Sequence, residues 1–202
     1  MNDFVRARVD TAIEESPYLT ARVGVSASGG QAVNNVGLKR VGKGHCYFRG
    51  SDERHQLLSI DLDAAFLDEI ERFSHGTVEL VRKRLGSARR PMIRGASTPE
   101  FPGTGISKLF DQTTQHRYFL RCDACGERQD LQFPRNLSRD GRLLCHRCLS
   151  PLDPLQEGEW VAAHPQVAVL GYHVNKFYSH RADLVGLAQT GYAIEDGLES
   201  DT

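Results

Sequence analysis

The chain has 202 residues, 40% of them apolar, with 25 Lys and Arg against 26 Asp and Glu and a formal net charge of −1. That is enough apolar material for one globular domain with a small satellite, which excludes a disordered chain. The near-neutral balance excludes a global field for nucleic acid or an anionic membrane, so any basic surface has to be local.

Residues 3–15 place Phe4, Val5, Val9, Ala12 and Ile13 on one helical face, and Ser16-Pro17 ends the helix because the residue before proline avoids the helical region. This acidic, amphipathic start is unlike a signal peptide, and no run approaches the roughly 18 apolar residues of a membrane span. The chain reads as cytoplasmic, with no membrane partner. A glycine-rich stretch follows, with His45 to Arg49 as one predicted strand. "HQLLSIDLDAAFLDEIERF" holds two apolar runs closed by acids. Residues 76–90 predict an amphipathic helix with Val78, Val81 and Leu85 inward and Arg82, Lys83, Arg84, Arg89 and Arg90 outward. "PMIRGAS" reads as a strand, "TPEFPGTG" as a loop and Ile106 to Asp111 as a short helix. Cysteines, arginines and short strands then take over, giving a boundary near 115.

"GLKRVGKGH" is one residue from a phosphate-binding P-loop, G-x-x-x-x-G-K-[ST], but Gly44 stands where the magnesium-binding hydroxyl belongs. A P-loop also needs a buried strand before it and a helix after it. "QAVNNV" is too polar for the first and "HCYFRG" is strand-like where the second should start. Gly37 to Gly44 is therefore predicted to be a hairpin turn.

Cys122, Cys125, Cys145 and Cys148 form C-x2-C-x19-C-x2-C, the spacing of a four-cysteine zinc site. Each pair brings two thiolates to one side of a knuckle, and two knuckles supply a tetrahedral set with no position left for water. The Zn²⁺ is expected to be structural. His146, inside the second knuckle, is an unnecessary alternative ligand. Cys46 is expected to be a small buried strand residue.

"AAFLDEIERF" is an apolar strand ending in Asp68-Glu69, the way P-loop ATPases present one carboxylate to Mg²⁺ and a second to the attacking water. A solvated strand end explains the same residues. Downstream, "MIRGASTPE" is another apolar strand ending in Ser97-Thr98-Pro99, and the two together are more specific than either. Asp61 and Asp63 alternate on a strand, but no histidine or lysine accompanies them at a spacing that suits a two-metal nuclease.

"FRGSDERHQLLSIDLDAAFLDEIERF", "STPEFPGTGISKLFDQTTQHRYFLRCDACGERQDLQF" and "EGEWVAAHPQVAVLGYHVNKFYS", in that order, resemble the large terminase subunit of tailed phages, the ATP-driven DNA-packaging motor, in its branch with a zinc-binding insertion. The likeness spans roughly residues 16 to 190. It implies an α/β fold: a partial P-loop NTPase-like (RecA-like) sheet with a small zinc-ribbon β subdomain. The implied division is 1–115 as partial ATPase core, 116–190 as zinc ribbon and return strands, and 191–202 as a disordered tail. By the resemblance, Asp68 and Glu69 are the Walker B pair, Glu69 being the catalytic carboxylate, and Ser97 and Thr98 form the coupling motif. ATP and Mg²⁺ would serve the intact family protein. Its implied partners are double-stranded DNA, the small terminase subunit and the portal, with oligomers only in the intact motor, in a bacterial host's cytoplasm.

The family's P-loop lies well upstream of its acidic pair and a nuclease domain follows the last block. Here the near-miss sits about 25 residues before Asp68. The expectation is a central fragment of the motor, inactive alone. A non-enzymatic zinc-ribbon protein that binds nucleic acid or a protein partner is the alternative, and the excess of Arg117, Arg121, Arg128, Arg135, Arg139, Arg142 and Arg147 over nearby acids favours nucleic acid slightly.

Overall fold

The amphipathic N-terminal stretch is helical from α1 (Asn2–Phe4) to α2 (Thr11–Glu15), the two joined by a π-helical segment, Val5–Asp10. Its inner stripe is narrower than the sequence pattern predicts. Val5 is buried, Val9 and Ile13 follow at four-residue steps and are half-buried, while Phe4 and Ala12 stay exposed. Ser16 leaves the helical region at ψ 107° and caps α3 (Pro17–Thr20), its Oγ accepting the Leu19 amide at 3.4 Å. This computed structural model describes residues 2–25, 30–51 and 54–196, and the chain divides into two compact units, Met1–Thr98 and Pro99–Thr202.

Gly37 to His45 folds as a hairpin. β1 (Leu38–Val41) and β2 (Gly44–Tyr47) pair antiparallel with Val41 opposite Gly44, and Gly42 takes φ +59° in the two-residue turn. Lys43 sits at that turn. Because β2 is the outer strand of a two-stranded ribbon, Cys46 is exposed, which corrects the expectation of a buried residue. Lys39 on β1 is only 3% exposed. Its ammonium meets Asp10 at 2.7 Å and the Asn34 side-chain oxygen at 2.8 Å, tying the ribbon to the N-terminal helix.

After α4 (Arg54–Leu58) come β3 (Ala64–Asp68), a 3-10 turn (Ile70–Arg72), α5 (Thr77–Arg84) and β4 (Met92–Ala96). β3 and β4 run parallel, in register from Ala64 opposite Met92 to Asp68 opposite Ala96. A parallel pair needs a crossover of about a dozen residues or more, usually helical, and α5 supplies it. Ala65, Val81 and Leu85 make the core between helix and strands, with Leu57, Leu62 and Leu67 packed on it. Alternation along β3 leaves Phe66 on the other face, 72% exposed. Asp61 and Asp63 precede β3 and do not lie in it, so they stand at the opposite end of the strand from Asp68.

The second unit begins with α6 (Gly105–Phe110) and builds a sheet around β5 (His116–Arg121). β6 (Arg128–Asp130) and β7 (Glu159–Ala162) pair with β5 antiparallel, and the two-residue β8 (Tyr172–His173) pairs with it parallel. Residues 99–115 join this unit because Thr113 and Thr114 are buried in it. Thr114 donates its amide to the Val169 carbonyl and accepts the His164 amide on its own carbonyl. Leu120, Leu131, Leu137, Leu143, Leu152, Phe177 and Ala188 form the core. Ala188 belongs to α7 (Leu184–Glu195), so residues 191–195, expected in a disordered tail, are helical. Tyr192 packs on that core, and Arg139 grips Asp196 through two bonds of 2.7 and 3.0 Å. Residues 197–202 lie outside the described ones. No helix among the described residues is long and apolar enough to cross a membrane.

Candidate functional site

The first candidate site is the carboxyl edge of the β3/β4 pair. Because the strands are parallel and in register, Asp68 at the end of β3 and Ser97, one residue past the end of β4, emerge at the same edge. In open α/β sheets this edge is where ligands bind. Asp68 is exposed, and its Oδ1 accepts the Glu69 amide at 3.1 Å. Glu69 is also exposed and holds φ +57°, a left-handed conformation that costs a non-glycine residue about 1 kcal/mol or more. That bend turns the chain off the strand at once into the Ile70–Arg72 turn, whose Ile70 is buried against Gly95. A β-carbon at Gly95 would press on Ile70 Cδ1, so a larger residue there would require the end of that buried side chain to shift. Ser97 Oγ then accepts the Glu71 amide at 3.2 Å. The edge thus carries two exposed carboxylates, one of them accepting a backbone amide, and two hydroxyl residues on backbone cross-linked between the strand ends.

The second site is the thiolate cluster. β5 ends at Arg121 and delivers Cys122 to a turn in which Cys122 N donates to Glu127 O and Gly126 N donates to Cys122 O. The second knuckle repeats this bond for bond: Cys145 N donates to Ser150 O and Leu149 N to Cys145 O. The residue four places after each leading cysteine is left-handed, Gly126 at φ +74° and Leu149 at +60°. All four Sγ atoms lie within 4.8 Å of one another, with Cys122 to Cys148 at 3.6 Å and Cys125 to Cys145 at 3.7 Å. A tetrahedron with Zn–S of about 2.3 Å has S–S edges of about 3.8 Å, so the donor set fits Zn²⁺.

The four thiols do not share charge evenly. Burial works against the Cys145 thiolate, but backbone amides of Cys148 and Arg147 and the Gln129 side chain outweigh it and bring the thiol to about 6. At Cys125 the Glu127 backbone amide favours the thiolate, yet burial and the other three sulfurs push it up to about 12. Hydrogen bonds from the Ser150 side chain and backbone lower Cys148. Four thiolates this close repel, and a divalent cation among them is what lets all ionise together.

Sequence reasoning missed the residues beneath the cluster. Gln129 is 1% exposed and donates Nε2–H to Cys145 Sγ at 3.1 Å. Its Oε1 accepts from Asn136 Nδ2 at 2.6 Å and from the His146 amide at 3.0 Å, with His146 Nδ1 at 2.9 Å. His146 therefore faces Gln129 and not the sulfurs. Asn136, equally buried, passes the network on to the Leu144 carbonyl and the Gln132 amide. A polar residue inside the strand "RQDLQF" is the signal that could have marked Gln129.

A family model described as "Phage terminase large subunit gpA, ATPase domain" matches residues 1–163. The chain belongs to that family. It is thereby placed among the proteins of phage DNA packaging. No curated protein and no solved structure matches it. The terminase match contains both knuckles and the whole β3/β4 edge, whereas β8, which pairs with β5, and α7, which supplies Ala188 to the core of the second unit, lie past its end. Six of the seven arginines counted toward nucleic acid in that unit pair with carboxylates: Arg117 and Arg135 with Asp130, Arg128 with Glu159, Arg139 with Asp196, Arg142 with Asp140 and Arg147 with Glu127.

Proposed function

We propose that the chain supplies the metal-and-water half of the ATPase site of a phage large terminase. Asp68 acts as the Walker B ligand of Mg²⁺, Glu69 as the carboxylate that polarises the attacking water, and Ser97-Thr98 as the coupling motif that senses the γ-phosphate. The observation that carries this is the parallel register of β3 and β4, which brings carboxylates and hydroxyls to one edge, bridged by Ser97 Oγ and the Glu71 amide. In this reading β3 and β4 are part of a RecA-like sheet, and the exposed Phe66 face belongs against further protein, since parallel sheets are normally covered on both sides. Double-stranded DNA, the small terminase subunit and the portal are the partners, and the setting is the host cytoplasm.

Cys122, Cys125, Cys145 and Cys148 hold a structural zinc in a ribbon. A complete sulfur set leaves no coordination position for substrate, so the metal's contribution is to fix the fold of the second unit. The pairing of its arginines leaves the alternative, a nucleic-acid-binding zinc ribbon without ATPase ancestry, with little free positive charge to work with.

No lysine in a phosphate loop accompanies Asp68 among the described residues, since Lys43 sits in a hairpin turn and Lys39 is paired with Asp10. The 202-residue chain is therefore proposed to bind Mg²⁺-nucleotide weakly and to hydrolyse none. Titration of a fluorescent ATP analogue with Mg²⁺ tests both points. Binding is expected to depend on Mg²⁺ and to weaken in Asp68→Asn/Glu69→Gln. Identical titrations for wild type and variant would sink the assignment of the edge, and turnover abolished by Glu69→Gln would overturn the inactivity.

A further inference from the structure

The βαβ unit separates its charges along the strand direction. Asp68 and Glu69 occupy the carboxyl edge, while the end of α5 lies at the amino edge, where the Leu62 amide donates to Arg84 O and Arg84 Nη1 donates to Leu58 O. The turn into β4 lies there too, with the Met92 amide on Asp63 O. Arg82, Lys83, Arg89 and Arg90 are all exposed at this end. A five-residue strand at about 3.3 Å per residue spans roughly 16 Å between this end and Asp68.

Helix electrostatics explains only part of the cluster. Cations in the last turn of α5 complement the negative end of its dipole, which accounts for Arg82, Lys83 and Arg84. Arg89 and Arg90 lie outside the helix, in the turn before β4, and gain nothing from it. Asp61 and Asp63, at the same end of β3, lower the net charge of this pole without pairing with its cations. Asp61, Asp63 and Glu79 are the carboxylates of this region, and none is ion-paired with Arg82, Lys83, Arg89 or Arg90 among the described residues. The second unit pairs six arginines with acids, whereas this pole leaves four cations open to solvent.

We infer that this basic pole binds the phosphate backbone of duplex DNA, without reading sequence. The inference rests on the reading of the chain as part of a DNA-packaging motor and adds the surface that would touch the DNA. Several exposed cations on a short helix end and turn, without aromatic or amide side chains among them, suit phosphates and not base edges.

Fluorescence anisotropy of a labelled mixed-sequence duplex, titrated with the full chain over a range of salt, tests it. Wild type should bind with a steep salt dependence. R82Q/K83Q/R89Q/R90Q should lose on the order of tenfold or more in affinity and lower the salt slope by about 3.6, since each of the four phosphate contacts contributes about 0.9. R128Q/R147Q, in the second unit, should bind as wild type, and circular dichroism should show all variants folded. Nucleotide titration of the quadruple variant keeps the two readings apart. If it binds nucleotide as wild type and DNA poorly, both stand; if DNA binding is lost with the variant while wild type binds no nucleotide, only the carboxyl-edge assignment fails. Salt-insensitive or absent DNA binding by wild type overturns the inference. So does unchanged DNA binding in the variant with loss of polyglutamate binding, which would assign the pole to an acidic protein surface.

Discussion

Ser97 Oγ accepts the backbone amide of Glu71 at 3.2 Å, joining the end of β4 to the turn that follows β3. Twenty-six residues separate the two in sequence. The bond adds a side-chain tie between the acidic and hydroxyl strand ends beyond the parallel ladder itself.

Ser97→Ala removes this acceptor and leaves a half-buried amide to find water. A loss of about 1 kcal/mol in the stability of the first unit is expected, measured by urea denaturation. Ser97→Thr keeps the oxygen and should restore most of it. Equal stability of Ala and Thr variants would show that the bond carries no weight.

Gln129→Ala removes the side-chain amide that donates to Cys145 Sγ and strips Asn136 and the His146 amide of their shared acceptor. Outer-shell partners of this kind typically contribute 10- to 100-fold to metal affinity, and a loss of about that size in Zn²⁺ affinity is expected in competition with a chromogenic chelator. Metal analysis of wild type should give about one zinc per chain, the capacity of one four-sulfur site. A Gln129→Ala chain with unchanged affinity would confine the residue to packing.

Leu149→Gly should stabilise the second unit by about 1 kcal/mol. Leu149 is 68% exposed, so little packing is lost, and it occupies the left-handed position that glycine fills in the matching knuckle at Gly126. A rise in the thermal midpoint of the zinc-loaded chain is the readout. The converse change, Gly126→Leu, should lower it.

Asp130→Asn should cost about 2 kcal/mol at neutral pH, because a buried carboxylate held by Arg135 at 3.0 Å, Gln132 at 2.5 Å and Arg117 at 3.4 Å loses its charge. Burial alone would raise the Asp130 pKa, but Gln132, Arg135 and Arg117 together hold it below the usual carboxylate range. A depressed folded-state pKa gives stability that is present above the unfolded value and is lost as pH falls through the folded one. The difference between wild type and variant should therefore be full above about pH 5 and shrink below about pH 4, as followed by denaturation across a pH series. A difference that does not change with pH would remove the charge from the explanation.

Local pattern alone determined a great deal here. The spacing of four cysteines, the apolar runs that stop at Asp68-Glu69 and Ser97-Thr98, the proline that ends the first helix, and the glycines that make Gly37 to Gly44 a hairpin are written within a few residues of each other. Each depends on short-range sterics or ligand geometry. What the tertiary structure decided depends on pairing across long separations. Parallel register put Asp68 and Ser97 at one edge and Asp61 and Asp63 at the other. Burial drew Gln129 onto Cys145, packing on Ala188 and Tyr192 kept residues 191–195 helical, and folding gave six arginines their carboxylates while leaving the α5 pole bare. Charge counted along a chain does not say which charges meet, because partners are chosen by the fold in three dimensions.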